Sequence, residues 1–304
     1  MEILVKLKPI NKTLSELDSN LLTGAILYNY NLLYDGTEFV NLLESKKIFI
    51  SNAFFFKNDK YFLPKPNLKY KIKDTKINKE FKKINFISAE LFNKIISKTE
   101  TELENDAFLV EEIINSKKEI PKIISSEETH NSINRITGSS FEGKLFFNNY
   151  ARLYSEDIEN SNIGFYFLIK LLDKNYEKKI KASINLMAER GIGRDKSTGF
   201  GYYKVEFENK FPIIQPENGE RMCLLSLYIP KEEELNKIKL EKSYYKLVEK
   251  ISKLPNGYVR RTQAFFKEGS IFNSYFENPG TIIKYNVNGY YVLENGLGFS
   301  IRIR

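Results

Sequence analysis

Apolar and polar residues alternate through "EILVKLK", residues 2–8, the two-residue period of a strand with one buried face. The period then changes. In "SNLLTGAILYNYNLL", Leu22, Ile26, Asn29 and Leu33 recur at helical intervals, predicting a helix with Ser19 as its N-cap. "KIFISNAFFF" reads as a strand and "KYFLPKP" as an edge strand ended by its two prolines. Further on, "IGFYFLIKLL" is a continuous apolar run suited to a central strand. "NYEKKIKASINLMAERG" sets Ile180, Ile184 and Met187 on one helical face with Gly191 as C-cap, and "FGYYKVEFE" alternates again.

Strand, helix and strand at both ends of this region make the two halves of a split βαβ unit. The predicted class is therefore α+β, with a ferredoxin-like domain over residues 1–210 of the topology shared by RNA-recognition motifs. Between the halves, residues 65–154 read as an insertion that includes helical patterns to about residue 115. "FPIIQPENGE" is rich in proline and polar residues and marks a boundary near 211–219. Beyond it the pattern predicts a strand over 221–229, a helix over 232–252 with a possible break, and strands around 257–268 and 297–304. A smaller ferredoxin-like domain over 211–304 fits that order.

Charge sharpens the picture. Forty-seven Lys and Arg against 39 Asp and Glu give a formal charge of +8, which suits an anionic partner. Lys65 to Lys83 carries eight lysines against Asp74 and Glu80, and reads as a solvated face or loop. Twenty-three Phe and 19 Tyr leave rings to spare for stacking on bases, although most belong to the core. Cys223 is the only cysteine and excludes an intrachain disulfide framework, as in cytoplasmic proteins; in "RMCLLSLYI" it reads as a small hydrophobe. No run approaches 18 apolar residues, so no membrane partner is expected.

Two stretches suggest chemistry and are argued down. "GSSFEGK" has Gly138, Gly143 and Lys144 at the spacing of a nucleotide phosphate loop, but Leu145 stands where a magnesium-binding hydroxyl is required. Its flanks, "HNSINRI" and "KLFFNNYARL", read as strands rather than as a strand and a helix. His130 is the only histidine, which rules out metal sites built on several imidazoles. It remains a conceivable general base for RNA cleavage and reads more simply as a polar strand residue. No metal and no cofactor are expected.

"ERGIGRDKSTGFGYYKVEF" carries the most information. Gly191, Gly193, Gly199 and Gly201 sit among Arg190, Arg194, Lys196, Ser197 and Thr198, between a helix end and a strand. Glycines let a backbone turn tightly and approach a ligand, while cations and hydroxyls hold phosphate oxygens, so a sugar-phosphate backbone is a natural guest.

At these residues the chain resembles the RAMP superfamily of CRISPR effector proteins. "SNAFFF" with "YFLPKP", "HNSINRITGSSFEGKLF", "GIGRDKSTGFGYYKVE", "FKEGSIF" and "GLGFSIRI", in that order, are similar to the fourth-subunit family of type III-A (Csm) interference complexes. The resemblance implies a non-catalytic subunit that binds the 5′ handle of the CRISPR RNA. It also implies docking of the large polymerase-like subunit beside the backbone (third) subunit. Glu16 and Asp18, where a backbone subunit would cut target RNA, read here as surface or capping residues. The "INRITG…GKLF" segment corresponds to a β-hairpin thumb that wedges beside the guide–target RNA duplex. On that reading His130, Asn131, Asn134, Arg135, Thr137 and Gly138 contact RNA at the thumb. Arg190, Gly191, Gly193, Arg194, Lys196, Ser197 and Thr198 do so at the loop, and Lys267 and Ser270 at "FKEGSIF". An endoribonuclease of the same superfamily, with His130 as base, is the competing reading; a purely structural adaptor is a third.

Overall fold

A computed structural model of the chain describes residues 1–13, 16–104, 106–133, 135–154, 162–193, 196, 199–251, 261–287 and 289–304. It is a mixed α/β fold with antiparallel sheets. Its first part runs β1 (Glu2–Pro9), α1 (Ser19–Leu33), α2 (Gly36–Glu44), β2 (Ile48–Ile50), β3 (Phe54–Lys57), β4 (Lys60–Pro64), α3 (Thr75–Lys83), β5 (Phe86–Ser88), α4 (Ala89–Ile96), α5 (Glu100–Glu104), α6 (Ala107–Ser116), β6 (Lys122–Ile133), β7 (Ser140–Tyr154), β8 (Ile163–Leu171), α7 (Glu177–Arg190) and β9 (Tyr203–Glu208). Seven of these strands form one sheet in the order β5, β4, β3, β8, β1, β9, with β2 also on β8. α1 follows β1, α7 follows β8, and the two helices pack together.

β1 is buried on both faces, not the predicted one. Ile3, Leu4, Val5 and Leu7 are buried, and so is Lys6, because its ammonium pairs with Glu208 at 2.5 Å and lies over the rings of Phe56 and Tyr61. A buried charge is tolerated when it is paired in this way. The N-cap of α1 is Asp18, whose carboxylate accepts the Leu21 N–H at 2.8 Å. Ser19, expected as the cap, is instead buried, and its hydroxyl accepts the Leu227 N–H at 3.1 Å.

"KIFISNAFFF" is two strands on one partner, interrupted at Ser51–Ala53. There the backbone turns outward, Asn52 donating to Leu225 O and Ala53 to Leu17 O, both at 2.8 Å. β4 is not the sheet edge: β5 pairs outside it, Pro64 opposite Phe86, and β5 takes the edge.

The second part contains β10 (Arg221–Leu224), α8 (Glu232–Leu235), β11 (Leu247–Lys250), β12 (Gln263–Phe266), β13 (Ile271–Phe272), β14 (Gly280–Val287), β15 (Tyr290–Leu297) and β16 (Ser300–Ile303). β13, β10 and β16 make a three-stranded sheet that is buried on both sides. Cys223 and Leu225 join the core of the first part, while Met222 and Leu224 join a smaller cluster with Tyr228, Phe266 and Phe272. Burial pushes the Cys223 thiol up to about 12.

The helix predicted over 232–252 is four residues long. Glu234 explains the stop: its carboxylate accepts from the Tyr228 hydroxyl, from the Lys231 N–H and from the Gly280 N–H, tying the turn to β14. The chain then becomes β11, which pairs with β12. Of the strand expected around 257–268, residues 257–260 lie outside the described residues and Gln263–Phe266 is β12.

Candidate nucleic-acid interface

β6 and β7 form the expected long hairpin, Lys122 opposite Tyr154 through to Ile133 opposite Ser140. No helix follows "GSSFEGK", whose residues from Ser140 onward belong to β7. Among the described residues the turn spans 135–139, closer to the N-terminus than the glycine-bounded 138–143 that the sequence suggests. The pairing steps from Asn131–Leu145 to Ile133–Ser140, so the strand segment 141–144, with Gly143 in it, bulges opposite Ser132. At the tip Arg135, Thr137 and Gly138 are exposed, and the Thr137 and Ser139 hydroxyls lie 2.8 Å apart. Asn131 is exposed on β6. Asn134 and the side chain of His130 lie outside the described residues.

At the root of the hairpin three segments distant in sequence meet. Thr13, past the end of β1, exchanges backbone hydrogen bonds of 2.9 and 3.0 Å with Ala151 of β7. Ile10 N–H donates to Tyr202 O, and Gly201 N–H to Lys12 O, each at 3.0 Å. The glycine loop is thereby fastened to the exit of β1. Gly201 (φ 73°) makes the tightest of these approaches: a Cβ there would sit 2.2 Å from Ile192 O, while Ile192 N–H donates to Gly201 O at 2.8 Å.

These segments enclose a cavity of about 610 Å³, lined by Asn11, Lys12, Arg152, Gly199 and Phe200 among others. Asn11 reaches the Gly199 carbonyl at 3.2 Å. The rings of Tyr150 and Phe200 stack at 4.2 Å and 10°, with the Lys12 ammonium 5.4 and 5.5 Å from the two centroids. These two rings are packed on each other, so the groove's chemistry is cationic and amide rather than an open stacking platform. Lys196 lies beside it: its carbonyl accepts the Tyr202 hydroxyl at 3.0 Å, and burial, with the nearby Arg190 guanidinium, lowers its ammonium below the usual lysine range. Arg190 stacks over Tyr28 at 5.8 Å.

The predicted site residues therefore fall into three places. Gly191 and Lys196 lie against the groove's Gly199–Phe200 wall, while Arg190 stacks away over Tyr28; Arg194, Ser197 and Thr198 lie outside the described residues. The hairpin-tip residues stand about 26 Å further along β6, eight residues beyond Ser125 at roughly 3.3 Å each. Lys267 lines a different, larger cavity and pairs with Glu268 at 3.4 Å. Ser270 is fully buried and corrects the expectation: its hydroxyl accepts the Lys246 N–H at 3.2 Å and its carbonyl the Leu224 N–H at 2.9 Å, leaving it no surface for RNA. Asn11, Lys12 and Arg152 were not singled out from the sequence. Their only signal was position, just past β1 and at the base of the hairpin. Among the described residues no group of three or more His, Cys, Asp or Glu could hold a metal ion, and no helix is long and apolar enough to cross a membrane.

Residues 217–303 match the model of the CRISPR Csm4 C-terminal domain. A curated relative from Methanocaldococcus jannaschii, "CRISPR system Cms protein Csm4", is 28% identical over 271 residues, 76% of this chain and 71% of that protein. A chain of a Csm3–Csm4 subcomplex from a type III-A interference complex superposes with a TM-score of 0.66 at 23% identity, over 100% of both chains. One from a Csm1–Csm4 cassette in complex with pppApA gives 0.64 at 18% identity, over 100% of this chain and 98% of that one. A chain of the type III-B Cmr-beta complex bound to cognate target RNA and AMPPnP gives 0.55 at 15% identity, over 90% and 86%. The fold is thus that of chains found in type III CRISPR effector complexes. Within that class the chain is similar to Csm4, through residues 217–303 and through the curated relative.

Proposed function

We propose that the chain is a non-catalytic subunit of a type III-A CRISPR effector complex that holds the 5′ handle of the CRISPR RNA and docks both the large subunit, Csm1, and the backbone subunit, Csm3. The observation that carries RNA binding is the convergence of the glycine loop, Lys12 and Arg152 on one groove at the thumb root. Loop amides and cations of this kind suit a sugar-phosphate backbone. Relatives crystallised as Csm3–Csm4 and Csm1–Csm4 assemblies support the two protein partners.

The sheet supports a ferredoxin-like first domain over 1–210: with β1, β3, β8 and β9 taken as first to fourth, the order across it is fourth, first, third, second. Residues 211–304 form a second unit that shares the first one's core. Its ferredoxin-like character has less support, since α8 is its only α-helix among the described residues. The non-catalytic reading is favoured by the early acids, since Asp18 caps α1 and both Glu16 and Asp18 pair with Lys250, at 3.6 and 2.9 Å.

Incubating the protein with handle-bearing repeat RNA in EDTA tests the reading. Salt-dependent retention of intact RNA is expected; cleavage would establish the ribonuclease alternative, and no binding in the reconstituted complex would refute the handle assignment.

A further inference from the structure

A second cavity, about 980 Å³, lies between the lysine-rich segment after β4 and the turns around β11 and β12, and shares no lining residue with the groove. Seven lysines and four acids line it. Every one of the acids is paired: Glu16 and Asp18 with Lys250, Glu104 with Lys71 at 2.5 Å, and Glu268 with Lys267. Lys65, Lys69, Lys82 and Lys246 are left with no carboxylate partner among the described residues.

Two further polar atoms of the lining, Asn67 Nδ2 and Tyr70 Oη, are buried without a hydrogen-bond partner. Such orphans are costly, and they mark a wall whose polar groups are not satisfied from within the protein. Burial, with Lys246 nearby, lowers the Lys65 ammonium to about 8, a strain that a bound anion would relieve. The wall is built: Gly269 (φ 80°) lets the "FKEGSIF" turn approach Lys65, and its carbonyl accepts the Asn67 N–H at 2.8 Å. Lys69 lies 5.4 Å over the Tyr244 ring, and Tyr245 is 38% exposed beside it.

We infer that this cavity is a second ligand site, independent of the groove, that takes a nucleotide, its phosphate on Lys65, Lys69, Lys82 and Lys246 and its base toward Tyr244 and Tyr245. The volume is that of a site for a whole small ligand rather than a lone phosphate, and lysines without a carboxylate partner beside rings match a phosphate ester carrying a base. A free nucleotide and a nucleotide of an RNA strand present the same chemistry.

Lysine acetylation of the full chain, mapped by mass spectrometry with and without AMP, a short single-stranded RNA or oligoglutamate, tests the site. Protection of Lys65 and Lys246 by a phosphate probe is expected; protection by AMP identifies a free nucleotide and protection by RNA alone a strand. Lys69→Ala with Lys246→Ala, both exposed positions whose loss leaves the fold intact, should weaken the protecting probe by roughly tenfold or more. Arg152→Ala in the groove should leave that protection unchanged. The site is refuted by protection from neither phosphate probe, by equal protection from oligoglutamate, or by undiminished binding to the double variant. None of these outcomes bears on the groove, which is read separately through Lys12 and Arg152.

Discussion

The glycine loop and the lysine run are both basic stretches of the chain, and the structure uses them in opposite ways. The loop has few cations and is held by backbone: Ile192 to Gly201, Gly201 to Lys12, Gly199 to Lys196. The run has eight lysines, and its second half is the amphipathic helix α3, capped by Asp74, with Lys82 and Lys83 in the last turn and Phe81 as its one buried anchor. There Lys76, Lys79 and Lys83 simply face solvent. Its first half, which reads like the rest by composition, forms the wall of a cavity, because Asn67 bonds to Gly269 from the distant C-terminal part. Density of charge does not distinguish a site from a solvated face; the destination of the neighbouring backbone hydrogen bonds does.

The sharpest way to break this contrast is to attack the loop's backbone. Gly201→Val combines a left-handed φ with a clash against Ile192 O, and should cost about 3 kcal/mol or more, adding strain to an approach that cannot relax cheaply. Lys76→Ala with Lys79→Ala should change stability by no more than about 0.5 kcal/mol. Urea unfolding of both proteins measures the difference. A loop that tolerates valine at 201 would be a loose connector.

Next in size is RNA affinity. Lys12→Ala with Arg152→Ala should lower the salt slope of handle binding by up to about 1.4, roughly 0.7 for each single-strand phosphate that the variant no longer neutralises. The Lys76 and Lys79 pair should leave the slope alone. Equal reductions from both pairs would mean that general charge, and not the groove, holds the RNA.

Where periodicity was long the sequence was legible. "IGFYFLIKLL" is the central β8, and the helix with Ile180, Ile184 and Met187 ends at Gly191 as read. The errors share one cause: distant segments claimed local backbone. "SNA" broke a strand to serve Leu225 and Leu17, Ser19 left its cap to serve Leu227, and Glu234 stopped a helix to hold Gly280. The β14–β15 hairpin went unread although "VNGY" between alternating runs signals it. Of the candidate groove, the glycine loop was legible through composition. Lys12 and Arg152 were not, because only the fold makes them neighbours.

A smaller effect is expected from pH at the cavity wall. Lys65 titrates near 8 in the folded chain, below the ordinary 10.5. Between those values the unfolded chain binds more protons, so this group's contribution to stability rises with pH through that window, and its full penalty is present below pH 8. Lys65→Met removes the contribution. The wild-type melting temperature should therefore gain on the variant's from pH 8 to 10, and parallel profiles would show that Lys65 is not buried as described.

The smallest effect separates the thumb tip from the loop. Gly138 and Gly201 both hold positive φ, 66° and 73°, yet a Cβ at Gly138 would meet nothing within 4 Å. Gly138→Ala thus carries only the intrinsic cost of a left-handed residue, about 1–2 kcal/mol, and that cost is local. The tip lies beyond a long two-stranded arm whose exposed residues Ile133, Ile136 and Phe147 contribute nothing to the core. Opening of such an arm is uncoupled from global unfolding, so the melting temperature should stay within about 1 °C of wild type, while amide exchange in residues 135–140 accelerates. A global loss of stability from Gly138→Ala would instead mean that the tip folds back onto the body, and the two glycines would then belong to one structural unit.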